Sequence, residues 1–397
     1  MKIRLLILCI FSLCCTLPIF AQGNGNLQIH FMNVGQGDGA VLISPRGEVV
    51  LFDNGVRSLC HLPISYLQDL GVEEIDYHIT SHYHDDHIGC AQEVLTEFPL
   101  RRLAIDRGFT YPSTNYPPKN NKSGGTFWKY KNVVGSKRTK ATQGITVTLD
   151  AATPNPVRIK IVALNGNGKV KVTTANENDL SLVTTVSFGE FDAVIGGDLS
   201  GFPLSHYKDI ETSVAPLVGQ VEVYKVNHHG STYSTNNNWI ETIRPRIGVI
   251  SVGSNRNHGH PTKDSLKRLH DAGVKTYWTH SGTGAKPKAG WDKIGDNIIV
   301  EVPPNSSKFT VTYNGDDEDT YNMWPASNPL FAPSNTLSIT TTDASSSVST
   351  EPKYAWSTRA KVYHYSSCIY VHNISPKNYE SGESEPAGKR LHKGCPK

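Results

Sequence analysis

Short apolar runs separated by turn residues recur from residue 27 onward. LQIHFM (27–32) and VVLF (49–52) read as strands, the second closing on Asp53-Asn54-Gly55. Residues 62–70 carry a helical spacing and stop at Gly71. IDYHIT (75–80) is a further strand, and residues 88–98 form the next helix. Strand patterns resume at 145–149, 159–164, 182–188, 191–195, 221–226 and 247–252. A helix near 263–272, a strand at 277–279 and a hairpin of 298–302 with 309–313 complete the series. Strands alternating with helices predict an α/β domain. Residues 106–143, rich in Pro, Asn, Lys and Gly, show no period and read as an inserted loop region.

Composition divides the chain into four parts. Residues 1–21 join Lys2 and Arg4 to an apolar run and a small residue at Ala21, the pattern of a cleaved signal peptide. Residues 22–324 form the main domain, and 325–353 are a Ser/Thr/Pro-rich linker with too little apolar surface to fold. Residues 354–397 are a small unit of a size that usually needs a disulfide or a metal. No later stretch is apolar enough to cross a bilayer, so the expectation is a soluble protein, secreted or periplasmic. The 39 basic residues include Lys2 and Arg4, which leaves 37 against 36 acidic ones after cleavage. Global charge therefore selects no partner.

Cys60, Cys90, Cys368 and Cys395 remain beyond the signal. Three pairings exist; Cys60 with Cys90 and Cys368 with Cys395 keeps each pair inside its own region.

The densest chemistry is SHYHDDHIG (81–89), with three histidines and two aspartates in six consecutive positions. His82 and His84 alternate on an extended segment and point the same way. Asp86 and His87 follow at the turn into a helix. Matching ligands sit after other strands, beside glycine: Asp198 in IGGD, His228 and His229 in VNHHGS, and His260 in NHGHP. Imidazole and carboxylate are typical ligands of open zinc sites. His30, His206 and His270 read as structural or solvated.

These motifs resemble the metallo-β-lactamase fold family, and within it the soluble C-terminal domain of ComEC-type DNA-uptake proteins. NVGQGDG (33–39), TSHYHDDHIG (80–89), HHGS (228–231) and ISVG (250–253) leading into Gly259-His260-Pro261 carry the resemblance. It implies an αββα sandwich of two mixed sheets with metals at one edge. One departure stands out. The superfamily usually supplies a histidine before the bridging aspartate, yet residues 88–197 contain none. The ComEC-like pattern has Asn-x-x-Ser there, met by Asn178 and Ser181. One or two cations stay open, with manganese fitting beside zinc.

The expected division places His82 and His84 on one cation and Asp86, His87 and His260 on the other. Asp198 bridges, Asp53 orients a ligand histidine, and His229 or His228 completes a cation or handles a proton. Two cations activate water, so a hydrolase is expected. The segment 119–140 carries seven basic residues and no acidic one, interleaved with Phe127, Trp128 and Tyr130. That pattern suits a nucleic acid or another phosphodiester, as does the ComEC resemblance. Alternatives are hydrolysis of another ester, lactone or β-lactam, and a non-catalytic metal-binding module.

In the last unit, His364, Cys368, His392 and Cys395 form two closely spaced ligand pairs. They suit a structural zinc, and the segment is similar to a small Ada-like metal-binding module. A Cys368–Cys395 disulfide is the competing reading.

Overall fold

The computed structural model describes residues 23–108, 125–254 and 256–325, together with the backbone of four strands between 354 and 391. The chain divides into two compact units, 1–339 and 340–397.

In the first unit, strands β1 (Leu27–Phe31), β2 (Gly39–Ile43), β3 (Val49–Asp53), β4 (Ile75–Ile79), β5 (Leu100–Asp106) and β6 (Arg138–Lys140) build most of one sheet. Strands β7 (Thr146–Leu149), β8 (Val157–Ala163), β9 (Val183–Phe188), β10 (Phe191–Ile195), β11 (Val223–Lys225), β12 (Ile247–Ile250), β13 (Lys275–Trp278) and β14 (Asp292–Ile294) form the second. The chain then returns to the first sheet through β15 (Ile298–Val302), β16 (Lys308–Tyr313) and β17 (Asp317–Asn322), which extend it from β1. Both sheets are mixed. β3, β4 and β5 run parallel in one, as do β10, β11, β12 and β13 in the other.

The burial follows from the sequence period. In β2, Ala40 and Leu42 enter the core between the sheets, while Val41 and Ile43 face the outer helices. Helices α1 (His61–Asp69), α2 (Asp85–Ile88), α3 (Ala91–Glu97) and α4 (Thr126–Val134) belong to the first half of the chain. Leu67, Val94 and Phe127, from the first, third and fourth of these, pack on the first sheet. Helices α5 (Glu211–Val218), α6 (Asn237–Ile243) and α7 (Lys263–Asp271) cover the second sheet through Val214, Trp239 and Leu266. With both faces covered, strands such as LQIHF are buried along their whole length. The expected αββα sandwich of two mixed sheets is what the chain forms. Among the described residues, no helix is long and apolar enough to cross a membrane. Cys60 and Cys90 are joined in a disulfide, the pairing expected from their positions.

Residues 106–143 depart from the expected loop, because part of them carries α4 and β6. Phe127 and Tyr130 are fully buried, with the Tyr130 hydroxyl donating to Asp106 Oδ2 at 2.8 Å. Arg138 also binds Asp106. Phe127 and Tyr130 therefore serve the core, and Trp128 is half-buried against it. A 3.6-residue apolar face (Phe127, Tyr130, Val134) explains it, hidden in the sequence by the lysines on the opposite side.

In the second unit, β18 (Tyr354–Ser357), β19 (Val362–Tyr365), β20 (Tyr379–Gly382) and β21 (Arg390–Leu391) form a four-stranded sheet. His364 lies on β19 opposite Ala355. Cys368, His392 and Cys395 lie outside the described residues, as do the signal-like segment 1–21 and the linker residues 326–353.

Candidate metal centre

Parallel strands end on the same side of a sheet, and the loops that follow them share one edge. Asp53 ends β3, the segment from Ser81 to His87 follows β4, Asp198 follows β10, and His228 and His229 follow β11. The two edges meet. Gly197 stands at the contact with φ of +55°, and a Cβ there would lie 2.5 Å from Ser81 Cβ. Asp53, His228 and His229 adopt left-handed backbone angles of +48°, +51° and +53°. Such strain in residues with side chains gathers where surrounding structure overrules local preference, as at ligand sites.

Asp53 is the hub of the first sheet's contribution. Its Oδ1 accepts from the Ser81 backbone N–H at 2.8 Å, and its Oδ2 accepts from the Ser81 hydroxyl at 2.6 Å. The same Oδ2 lies 2.8 Å from His87 Nδ1. Holding Nδ1–H leaves the Nε2 lone pair of His87 aimed at Asp198 Oδ1, 3.3 Å away. Asp53 was expected to orient a ligand histidine, and the histidine it contacts is His87.

His229 is held the same way from the second sheet. Its Nδ1 lies 2.9 Å from the Ser251 carbonyl and 3.1 Å from Asp38 Oδ1. Its Nε2 faces Asp86 Oδ2 at 3.4 Å and Asp198 Oδ1 at 3.5 Å. His82 Nε2 lies 2.9 Å from His84 Nδ1 and 3.9 Å from Asp198 Oδ2. His228 Nε2 is 3.7 Å from Asp198 Oδ2 and 3.1 Å from the amide nitrogen of Asn178. The Ser181 hydroxyl oxygen accepts the Asp198 backbone N–H at 3.2 Å.

The donor set fits a divalent cation. His87 Nε2, His229 Nε2 and Asp198 Oδ1 are buried, make no hydrogen bond, and face one another. Buried polar atoms without partners are costly, and a shared cation removes the cost. Among the described residues, four groups of ligand atoms lie close enough to hold an ion: His82, His87 and Asp198; Asp86, His87 and His229; Asp38, Asp53 and His87; and Asp38, Asp198 and His229. The grouping differs from the expected division. His87 belongs to three of the four groups and His229 to two, whereas His260 was expected beside Asp86 and His87. His84 and His260 line the same cavity without joining any of the four groups. The His260 ring stacks 5.9 Å from that of His229.

Electrostatics agree with the donor roles. Burial pushes His84 and His228 down to about 4 and His260 down to about 3, so these imidazoles are neutral lone-pair donors at pH 7. Burial opposes charge on His229 as well, yet Asp198 and Asp38 raise it to about 10. His87 is likewise raised against burial by Asp198, Asp38 and Asp53. Without a cation, protons on His87 and His229 balance these carboxylates; a bound cation would displace the protons and take over that charge.

Two buried ion pairs behind the centre were not assigned from sequence. Lys225, at the end of β11, sits against Asp38 Oδ2. A lysine closing an apolar strand just before the ligand loop was the available signal, as was Asp38 between Gly37 and Gly39. Arg107 and Glu177 pair at 2.7 Å, and Glu177 Oε1 accepts the Tyr83 backbone N–H at 3.0 Å, which braces the segment between His82 and His84. Their partners lie 70 residues apart, and no local pattern marks them.

Sequence comparison finds two curated relatives. ComE operon protein 3 of Bacillus subtilis is 25% identical over 291 residues, covering 68% of this chain and 34% of that protein. Recombination protein 2 of Haemophilus influenzae is 27% identical over 267 residues, covering 66% and 29%. The chain thus spans about a third of the length of these relatives. Among solved structures, the metallo-β-lactamase SMB-1 is 14% identical with a TM-score of 0.34, covering 50% of this chain and 79% of that one. CmlA, a diiron β-hydroxylase from Streptomyces venezuelae, is 13% identical with a TM-score of 0.41, covering 70% and 54%. The profile of the metallo-β-lactamase superfamily matches residues 39–254, more than half the length, and the chain belongs to that superfamily.

Proposed function

We propose that the chain is an exported, metal-dependent phosphodiesterase acting on DNA or RNA. The observation that carries the reading is the meeting of buried atoms without hydrogen bonds on His87, His229 and Asp198, the last two of which line a cavity. The phosphodiester class is supported by the ComEC-like motifs and by a relative named Recombination protein 2. Export is supported by the signal pattern of residues 1–21.

Zinc suits the nitrogen and carboxylate donors, and manganese is the second ion to test. When bound, such cations activate water as a nucleophile and stabilise charge on the departing oxygen. The chain's own part is to hold and orient. His82, His84, Asp86, His87, Asp198, His229 and His260 are the candidate ligands, and Asp53 and Ser181 fix His87 and Asp198 from behind. The Nδ1 contacts of His229 turn its Nε2 toward the carboxylates, which favours a ligand role. His228, steadied by Asn178 and lining the cavity, is then the group that meets the leaving oxygen, its neutral imidazole offering an N–H hydrogen bond. In the second unit, His364, Cys368, His392 and Cys395 remain candidates for a structural zinc, with a Cys368–Cys395 disulfide as the rival.

The test is hydrolysis of bis-p-nitrophenyl phosphate and plasmid DNA against nitrocefin and a simple lactone, with and without chelator, beside metal analysis. Chelator-sensitive cleavage of the phosphodiesters alone supports the proposal. Turnover of nitrocefin or lactone alone replaces it with the second reading, which the superfamily match favours. His228→Ala should lower kcat by about 10²–10³ with metal content retained.

A further inference from the structure

The cavity over the metal centre measures about 730 Å³. The ligand cluster lines it, and so do Tyr207 and Tyr233. Their rings stack at 4.7 Å with an interplanar angle of 29°, and His206 lies against Tyr207 at 4.4 Å and 31°. The three rings form a column. Its middle ring is 5.8 Å from that of His228, whose Nε2 reaches Asp198.

The column is tied to the loops that deliver the ligands. The Gly201 N–H donates to the Tyr233 carbonyl at 2.8 Å, joining the segment after Asp198 to the segment after His229. The Tyr233 N–H contacts Ser231 Oγ at 3.3 Å. Tyr207 and Tyr233 are half-buried, and neither belongs to a core cluster, unlike Phe127 and Tyr130. Arg57 is the one Lys or Arg side chain among the described lining residues. A groove for duplex nucleic acid needs several cations to track phosphates. The column offers π-faces, and unpaired bases stack on such faces without regard to sequence.

We infer that the His206–Tyr207–Tyr233 column is a stacking subsite for a nucleobase adjoining the phosphodiester at the metal centre, so that the substrate is a single strand or a short oligonucleotide. This rests on the phosphodiesterase reading and deepens it. A base added to the column continues the stack while its phosphate lies toward His228. Loss of one aromatic partner for a base weakens binding by about 5- to 100-fold.

The experiment uses the full chain and a single-stranded tetranucleotide carrying 2-aminopurine, kept intact by chelator for binding and then cleaved with metal restored. Fluorescence should be quenched on binding. Tyr233→Leu with Tyr207→Leu should weaken binding about 5- to 100-fold and raise KM more than it lowers kcat. Tyr233→Trp, which keeps a ring, should retain binding and guards against misfolding. An abasic tetranucleotide should bind as weakly to wild type as to the leucine double variant. Equal cleavage of normal and abasic strands by both proteins overturns the stacking subsite and leaves the phosphodiesterase reading intact. Duplex bound as tightly as single strand also overturns it. Tyrosine-dependent quenching with no phosphodiester cleavage under any metal upholds the subsite and defeats the catalytic reading.

Discussion

Lys225 and Asp38 form a buried ion pair directly behind the candidate metal centre, and Asp38 Oδ1 lies 3.1 Å from His229 Nδ1. The lysine offsets a carboxylate that burial would otherwise force to protonate. Burial opposes ionisation of Asp38, and Lys225, followed by His229 and His87, holds its pKa below the ordinary range. The pair links the rigid end of β11 to the loop after β1.

Removing one member of that pair leaves a lone charge in the interior. Lys225→Met should destabilise the chelated protein by about 3–5 kcal/mol in urea denaturation, and Lys225→Met with Asp38→Asn should recover much of the loss. A single variant within about 1 kcal/mol of wild type would show that the pair carries no such burden.

Asp53 accepts from two Ser81 donors and orients His87. Asp53→Ala frees the imidazole to rotate and lets the ligand loop relax. Metal affinity, read by competition with a chromophoric chelator, should fall about 10- to 100-fold. Unchanged affinity would remove Asp53 from the supporting role.

Gly197 permits the two sheet edges to touch. Gly197→Ala imposes a left-handed angle on a residue with a side chain and drives its Cβ into Ser81. The backbone angle alone costs about 1–2 kcal/mol, and the displaced Ser81 should lower metal affinity as well. Thermal melting with and without metal separates the two effects, because only the second shrinks the shift that metal produces.

His30 gives a pH signature away from the metal centre. Burial beside Tyr66 pushes its pKa down to about 4 from an ordinary 6.5. Between these values the unfolded chain binds more protons than the native one, so stability rises with pH. The contribution is full above about 6.5 and is lost as pH falls toward about 4. Denaturation of the chelated protein across that window should show a slope that His30→Gln reduces, by at most about 3 kcal/mol overall. A slope identical in the variant would place the acid sensitivity elsewhere.

The sheet strands and the chief ligand loop were legible locally. Runs such as LQIHF and VVLF carry their own burial pattern, and SHYHDDHIG concentrates donors too densely for a plain surface loop. Legibility failed where a pattern had two readings. Phe127 and Tyr130 among lysines looked like a stacking surface, yet the same spacing is one apolar face of α4 buried on the first sheet. Helices α5 and α6 went unmarked, each only two turns long, one interrupted by Pro216.

By itself the sequence determined which side chains carry lone pairs, which runs are apolar on both faces, and so the αββα class and the presence of a donor set. Those are properties of neighbouring residues, fixed by side-chain chemistry and by periods of 2 and 3.6. The tertiary structure alone decided that His229 faces Asp86 and Asp198, that Lys225 neutralises Asp38, and that Tyr207 and Tyr233 line the same cavity as the ligands. Each of these joins loops from different strands, and their meeting depends on how two twisted sheets pack, which no local stretch encodes.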